Sequence, residues 1–171
     1  MRKMKPLAFL LLFVLIFTFL TSCSGGLNTY HKIKNNAVMY SYVNDLMLPS
    51  FFEENKIEGT YQKDPDSDEE IEYPSSISLI IRDQEALNEI FYENSFAVDF
   101  EKEIMFVHMF PDNNSSSRYY IYDISIASSK VTITYILDFS IMMLSSAPVL
   151  RALAVKMDKI DVSEVEFVKK D

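Results

Sequence analysis

Hydrophobic and polar residues alternate along much of the chain after residue 75, with the period of two that is typical of β-strands. Alternation and short apolar runs predict six strands, at residues 76–81, 103–110, 118–127, 130–139, 149–157 and 163–169. The run at 103–110 is apolar on both sides, which indicates a central strand. A mostly antiparallel β-sheet of the α+β class follows from this pattern.

One short amphipathic helix interrupts the strands after the first of them. Asp83 is a suitable N-cap residue, and Leu87, Ile90 and Phe91 then fall on one helical face. The sequence therefore predicts an early strand followed by a helix that packs on the sheet.

The strands at 118–127 and 130–139 read as a hairpin around Ser128 and Ser129. A two-residue loop aligns four apolar pairs on one face, namely Ile126 with Val131, Ile124 with Ile133, Tyr122 with Tyr135, and Tyr120 with Leu137. With that face in the core, the opposite side of the hairpin is half apolar.

We predict a partner-binding surface on that opposite side and on the apolar run that follows the hairpin. Its candidate residues share an apolar or aromatic side chain and are Tyr119, Ile121, Ile136, Met142, Met143 and Leu144. The alternative is that the segment 37–52 covers this face and that the run at 141–144 only extends a strand.

The region before residue 76 has weaker patterns. Residues 37–52 fit helical spacing slightly better than alternation, and we favour a helix that ends at Pro49. Residues 53–72 carry nine acidic residues against Lys56 and Lys63, which predicts an exposed acidic loop.

The N-terminus has the pattern of a secretory leader. Arg2, Lys3 and Lys5 precede an apolar run from residue 7 to residue 20, which is too short to be a membrane-spanning anchor. The Leu-Thr-Ser-Cys motif that ends at Cys23 resembles a bacterial lipobox, in which the cysteine is lipidated and becomes the first mature residue. We expect a signal peptide at 1–22, a flexible tether at 23–36 and one domain at 37–171. A plain signal cut or a short membrane helix is the alternative.

Lipidation would anchor the protein to the bilayer of the cell envelope, outside the cytoplasm, and would use its only cysteine. The chain has 16 basic and 25 acidic residues, and the leader contains three basic residues and no acidic ones. The mature chain then has 13 basic and 25 acidic residues, a net charge of −12. Such an acidic domain is a poor partner for nucleic acid.

Patterns of catalysis are missing from the sequence. Gly59 is the only glycine beyond Gly25 and Gly26, so no glycine-rich phosphate loop is present, and His108 reads as a packed strand residue. The acidic residues Asp99, Glu101 and Glu103 alternate, but such groups are common near a strand start. We predict a protein that is not an enzyme and that has no cofactor.

A metal site is also not expected. Asp64, Asp66 and Asp68 have the spacing that opens a calcium loop, but Glu69 replaces the required glycine and Ser75 the closing glutamate.

Residues 80–110 resemble the C-terminal domain family of the protease complex lipoprotein PrcB. The resemblance rests on Asp83, the helical residues 87–91, the Asp99–Phe100 pair and the strand at 104–110, and it extends over about 76–169. It implies a non-catalytic lipoprotein that assembles with a secreted surface protease. The sequence thus favours a protein-interaction module; an envelope ligand-binding protein or enzyme with an unrecognised site is the alternative.

Overall fold

The computed structural model describes residues 30–33, 35–60, 72–114, 118–138 and 144–170, and for 30–33, 114 and 144–147 it describes the backbone alone. These residues form eight strands, two short α-helices and one 3-10 helix at Asn44–Leu46. The elements in chain order are β1 Tyr30–Ile33, β2 Ala37–Tyr40, α1 Pro49–Glu54, β3 Ile77–Ile81, α2 Gln84–Ile90, β4 Glu103–Asn114, β5 Arg118–Ala127, β6 Lys130–Asp138, β7 Leu144–Asp158 and β8 Glu164–Lys170.

The strands form two sheets. The larger sheet is antiparallel, with the order β1-β2-β7-β4-β3, and the smaller has the order β5-β6-β8. Among the described strands only the β6–β8 pair is parallel, because the chain crosses to the larger sheet as β7 before it returns as β8. The predicted α+β class with a mostly antiparallel sheet is confirmed, and β4 is a central strand as expected.

Two buried clusters divide the domain into three layers. On β4, Ile104 and Phe106 point into the cluster between the two sheets, whereas Met105 and Val107 point into the cluster under the helices. Apolar side chains on both faces of β4 are therefore explained by its position in the middle layer.

The helix α2 forms where the sequence predicted it. The Asp83 side chain accepts a hydrogen bond of 2.9 Å from the Ala86 amide, as an N-cap residue should. Leu87, Ile90 and Phe91 are buried against the larger sheet. The predicted helix and its buried face are therefore confirmed.

The helix expected at 37–52 is wrong. The region starts with β2, and Pro49 begins α1 instead of ending a helix. Asn35 and Asn36 both have positive φ, 60° and 53°, which gives the tight turn that pairs β1 with β2. Pro49 suits its position because the first helical residue needs no amide donor.

The folded part of the chain also starts earlier than predicted. β1 begins at Tyr30, seven residues before the domain boundary expected at residue 37, since 37 − 30 is 7. The residues at 30–33 belong to the larger sheet through their pairing with β2 and are not part of a tether.

The hairpin forms around Ser128 and Ser129 as predicted, but its register changes half way. Ile126 faces Val131 and Ile124 faces Ile133, whereas the irregularity between Ile121 and Asp123 gives β5 one extra residue. Beyond this β-bulge, Ile121 faces Tyr135 and Tyr119 faces Leu137. Because of the extra residue, the side chains in the first half of β5 point to the faces opposite to those predicted.

Candidate interaction surface

The outer face of the three-stranded sheet is the side turned away from the larger sheet. It carries an outer apolar patch, which we define as Tyr120, Tyr122, Ile136 and Val168. Tyr122 is 52% exposed and Val168 38% exposed, while Tyr120 and Ile136 are half-buried. The register places Tyr120 opposite Ile136. Val168 lies in the next row of side chains that face outward across the sheet.

Charged groups border the outer apolar patch on two sides. At one side the Lys170 ammonium lies 3.3 Å from the centre of the Tyr122 ring, so its side chain reaches across β6. At the other, Lys130 Nζ lies 2.9 Å from a carboxylate oxygen of Glu166. An aromatic and aliphatic centre with a charged rim is the usual composition of a protein-binding surface.

Two residues of the predicted partner surface are in the core. Tyr119 and Ile121 are buried between the sheets, so their expected exposure is wrong, and the reason is the bulge at Tyr122. Ile136 lies on the outer face as predicted. Tyr122, which was expected in the core, is exposed instead.

The remaining predicted residues are only partly described. The backbone of Leu144 is in β7, opposite Asn114, so this residue extends a strand. Met142 and Met143 lie outside the described residues, and so do Cys23 and most of the acidic segment, from residue 61 to residue 71.

A buried polar cluster occupies the interior near one end of the sandwich. The guanidinium of Arg151 donates through Nε to Oδ2 of Asp112 at 3.2 Å, and the Tyr119 hydroxyl donates to the same oxygen at 2.9 Å. Arg151 and Tyr119 are each 1% exposed. The Arg151 side chain also lies 4.9 Å from the ring centre of Tyr42, which is on the surface. The cluster joins β4, β5 and β7.

The Asp112 charge acts on a neighbouring ring as well. Burial, and then the negative charge of Asp112, raise the pKa of Tyr135 to about 12. Its hydroxyl therefore stays protonated under ordinary conditions, and the ring serves as packing beside Tyr119, 5.4 Å away between ring centres.

His108 is buried between aromatic rings, as expected of a packed histidine. Its ring is stacked on Phe167 of β8, with centroids 4.6 Å apart, and on Phe110, with centroids 5.0 Å apart. Burial lowers its pKa to about 4, and a hydrogen bond with the Ile77 carbonyl opposes that shift. The imidazole is consequently neutral at pH 7.

Sequence reasoning missed one partner of this histidine. The hydroxyl oxygen of Ser78 lies 2.9 Å from Nδ1 of His108, and Ser78 itself is exposed. A serine beside an imidazole is the first requirement of a serine nucleophile. However, an imidazole with a pKa near 4 is a weak base, so the geometry fits a satisfied buried histidine better than an efficient catalytic pair.

Ion pairs fix two acidic residues at the start of β4, Asp99 just before the strand and Glu103 as its first residue. Asp99 accepts a hydrogen bond of 2.8 Å from Lys102, and this bond is the main cause that lowers the pKa of Asp99. Burial raises the pKa of Glu103, but hydrogen bonds from the Asp99 amide and Lys156 outweigh it, so the net shift is downwards. Two carboxylates that stay ionised cannot supply the protonated acid of a glycosidase pair.

No three described side chains of histidine, cysteine, aspartate or glutamate come together as metal ligands. Within the described part of the chain, no helix has the length and hydrophobicity needed to cross a bilayer. Comparison with known proteins found no match among family models, curated proteins or solved structures.

Proposed function

We propose that this protein is a lipid-anchored lipoprotein of the bacterial envelope that acts as a non-catalytic protein-interaction module. The observation that carries the proposal is the outer apolar patch, where Tyr122 and Val168 are exposed on the outer face of the smaller sheet. Large apolar side chains on a rigid sheet can bind a partner with little loss of conformational entropy. The Leu-Thr-Ser-Cys motif at Cys23 supports the anchor.

The nature of the partner follows from the resemblance to the C-terminal domain family of PrcB. On that basis we propose that the partner is a secreted protease at the cell surface and that the domain stabilises it as an accessory subunit. The acidic balance of the chain, 25 acidic against 16 basic residues, is consistent with a protein partner and disfavours nucleic acid.

The test compares two tyrosines of equal exposure on different faces. Tyr122 is 52% exposed in the outer apolar patch, and Tyr92 is 50% exposed near the helices. Cells that produce Tyr122→Ala, Tyr92→Ala or the unchanged lipoprotein are treated with a cross-linker, and the chains joined to it are identified. We expect the cross-linked protease to be lost with Tyr122→Ala alone. Equal recovery from all three would reject the patch as the interface.

An enzyme is the second candidate, and the Ser78–His108 contact is the observation in its favour. A fluorophosphonate reagent phosphonylates activated serines: the serine oxygen bonds to phosphorus, and fluoride and the hydroxyl proton leave. It would label Ser78 if that residue were a nucleophile. We expect no labelling above that of Ser78→Ala, because the histidine is too weak a base. Labelling that disappears in Ser78→Ala would favour the enzyme.

A further inference from the structure

An aromatic stack joins β8 to the larger sheet. Side chains alternate along β8, so Phe167 points into the cluster between the sheets and Val168 points outward in the outer apolar patch. The Phe167 ring lies flat on the imidazole of His108, with ring centroids 4.6 Å apart and planes 4° from parallel. Since His108 belongs to β4, the stack connects the two sheets directly behind the patch.

The same imidazole contacts β3, whose edge lies beside β8. Ser78 is the direct partner of His108 in the β3–β4 register, and its hydroxyl oxygen is 2.9 Å from Nδ1. The ring also hydrogen-bonds with the Ile77 carbonyl. Arg82, just after β3, donates to the carbonyl of Val162, shortly before β8. This side of the sandwich is therefore held together by Arg82 at one end and by His108 further along.

The other contacts of β8 hold it loosely. Among the described strands it pairs with β6 alone, so its second edge makes no strand pairing there. None of its seven residues is fully buried, and Val165 and Phe167 are half-buried against the cluster between the sheets. A strand with few buried apolar contacts opens at a lower free energy than the rest of a fold. Loss of the Phe167 stack is therefore expected to release β8 first.

The charges around His108 disfavour its protonation. The titratable side chains on the inward faces of the strands packed around it are Asp112 of β4, Tyr135 of β6, Arg151 of β7 and Lys169 of β8. Asp112 pairs with Arg151, and Tyr135 stays uncharged because its pKa is about 12. Lys169 is a further cation, and β3 contains no charged residue. These groups together are net positive, so a protonated His108 gains no counter-ion from them.

We propose that protonation of His108 detaches β8 from the larger sheet and thereby disassembles the outer apolar patch in acid. A buried imidazolium is unfavourable while Phe167 covers it, and displacement of β8 lets water reach the ring. Val168 moves with β8, so the patch loses one of its side chains. Release of a bound partner in acid rests on the function proposed above, whereas the opening of β8 does not.

The direction of the effect follows from two pKa values of His108. Burial lowers the pKa to about 4 in the closed domain, whereas the ordinary value is 6.5. The open form binds the proton more tightly, so a falling pH favours it. If opening restores the ordinary value in full, the equilibrium constant for opening rises roughly 20-fold between pH 7 and pH 5. The stack with Phe110 remains in the open form and keeps part of the shift, so we expect a rise of at least about fivefold.

Hydrogen exchange measures this opening without any partner. The full-length protein is incubated in D2O at pH 7, 6 and 5, a range above the ordinary glutamate pKa of about 4.3. Mass spectrometry of peptic fragments gives the exchange rates, which are corrected for the pH dependence of chemical exchange. We expect the amides of β8 to exchange at least about fivefold faster at pH 5 than at pH 7, and those of β4 to change by less than about twofold.

Substitutions assign the effect to one side chain. His108→Phe keeps an aromatic ring in the stack but cannot be protonated, so it should remove the pH dependence of β8. His108→Gln takes its place if circular dichroism shows that His108→Phe does not fold. Glu166→Gln is the matched control, because it removes a carboxylate of β8 that pairs with Lys130, and it should keep the pH dependence.

Three results would overturn the detachment of β8. The first is an equal exchange rate of β8 at all three pH values. The second is a pH dependence that persists in the His108 variant or disappears in Glu166→Gln, since His108 would then not be its cause. The third is an equal acceleration of β4 and β8, which would mean that the whole domain unfolds.

Cross-linking at pH 7 with Tyr122→Ala tests the proposed interface separately. If β8 opens as expected but Tyr122→Ala still cross-links to the partner, the opening stands and the patch is not the interface. If Tyr122→Ala loses the partner but exchange of β8 is independent of pH, the interface stands and His108 does not control it.

Discussion

Arg151 and Asp112 form an ion pair in the interior of the sandwich, with Nε of the arginine 3.2 Å from Oδ2 of the aspartate and both side chains at least 90% buried. The two residues lie on adjacent antiparallel strands, where Phe110 is the direct partner of Arg151. Tyr119 of the smaller sheet completes the contact through its hydroxyl. This cluster of three polar side chains, one from each of β4, β5 and β7, fixes how the two sheets pack against each other at this end.

The first prediction is that changing one member of the Asp112–Arg151 pair strongly destabilises the domain. Asp112→Asn keeps the shape of the side chain but removes the buried negative charge that pairs with Arg151. We expect a loss of about 3–5 kcal/mol in the free energy of unfolding, measured by urea denaturation at pH 7. Tyr119→Phe, the matched milder change, should cost about 1 kcal/mol. If both variants lost less than 0.5 kcal/mol, as is typical of surface changes, the cluster would have no structural role.

The second prediction concerns the stability of the domain in acid. The folded pKa of His108, about 4, lies below its ordinary value of 6.5. As the pH falls from 6.5 to 4, the unfolded chain takes up a proton that the folded chain does not. Stability is therefore lost across that window, by an amount on the order of 3 kcal/mol, and the loss is complete below pH 4.

His108→Phe is the control for the acid effect, because it keeps a ring between Phe110 and Phe167 but cannot be protonated. Urea denaturation at several pH values should give a smaller fall in stability between pH 6.5 and pH 4 for this variant than for the unchanged protein. Parallel curves would mean that His108 is not responsible and that acidic groups cause the fall.

The third prediction tests the two faces of β5. Ile121→Lys places a charge between the sheets and should lower the free energy of unfolding by several kcal/mol. Tyr122→Lys, one residue further along, should change it by no more than about 0.5 kcal/mol because the side chain is exposed. Thermal unfolding followed by circular dichroism measures both. The reverse order of effects would mean that β5 has no bulge here.

The bulge also marks the limit of what the sequence can predict about the hairpin. Residues 119–122 read Tyr-Tyr-Ile-Tyr, so both faces of the strand are apolar there. Alternation therefore does not show which of these side chains face the core. Nearer the turn, Ile124 and Ile126 alternate with Ser125, and there the register was predicted correctly. A polar residue on one face is what fixes a strand's phase, and β5 has none between Arg118, its first residue, and Asp123.

The six strands after residue 75 and the helix α2 were predictable because their signals are local, whereas the Asp112–Arg151 pair was not. Arg151 lies within the otherwise apolar run at 149–155, which hints at a buried partner. That partner is 39 residues away and depends on the β4–β7 register. The wrong helix at 37–52 has a similar cause. Val38 and Tyr42 fit both periods, and the pairing of β2 with β7 decides the outcome.

The last prediction concerns the cap of α2. Asp83→Ala removes the acceptor of the Ala86 amide and should destabilise the domain by about 1 kcal/mol, while Asp83→Ser should retain most of the stability because a serine hydroxyl can accept the same bond. Urea denaturation of both variants gives the comparison, with Gln84→Ala as a control in the next position. Since α2 covers one side of the larger sheet and the outer apolar patch is on the smaller sheet, cross-linking to the partner should be unchanged in the folded Asp83→Ala protein. Loss of cross-linking with intact folding would place the partner on the helical side of the domain instead.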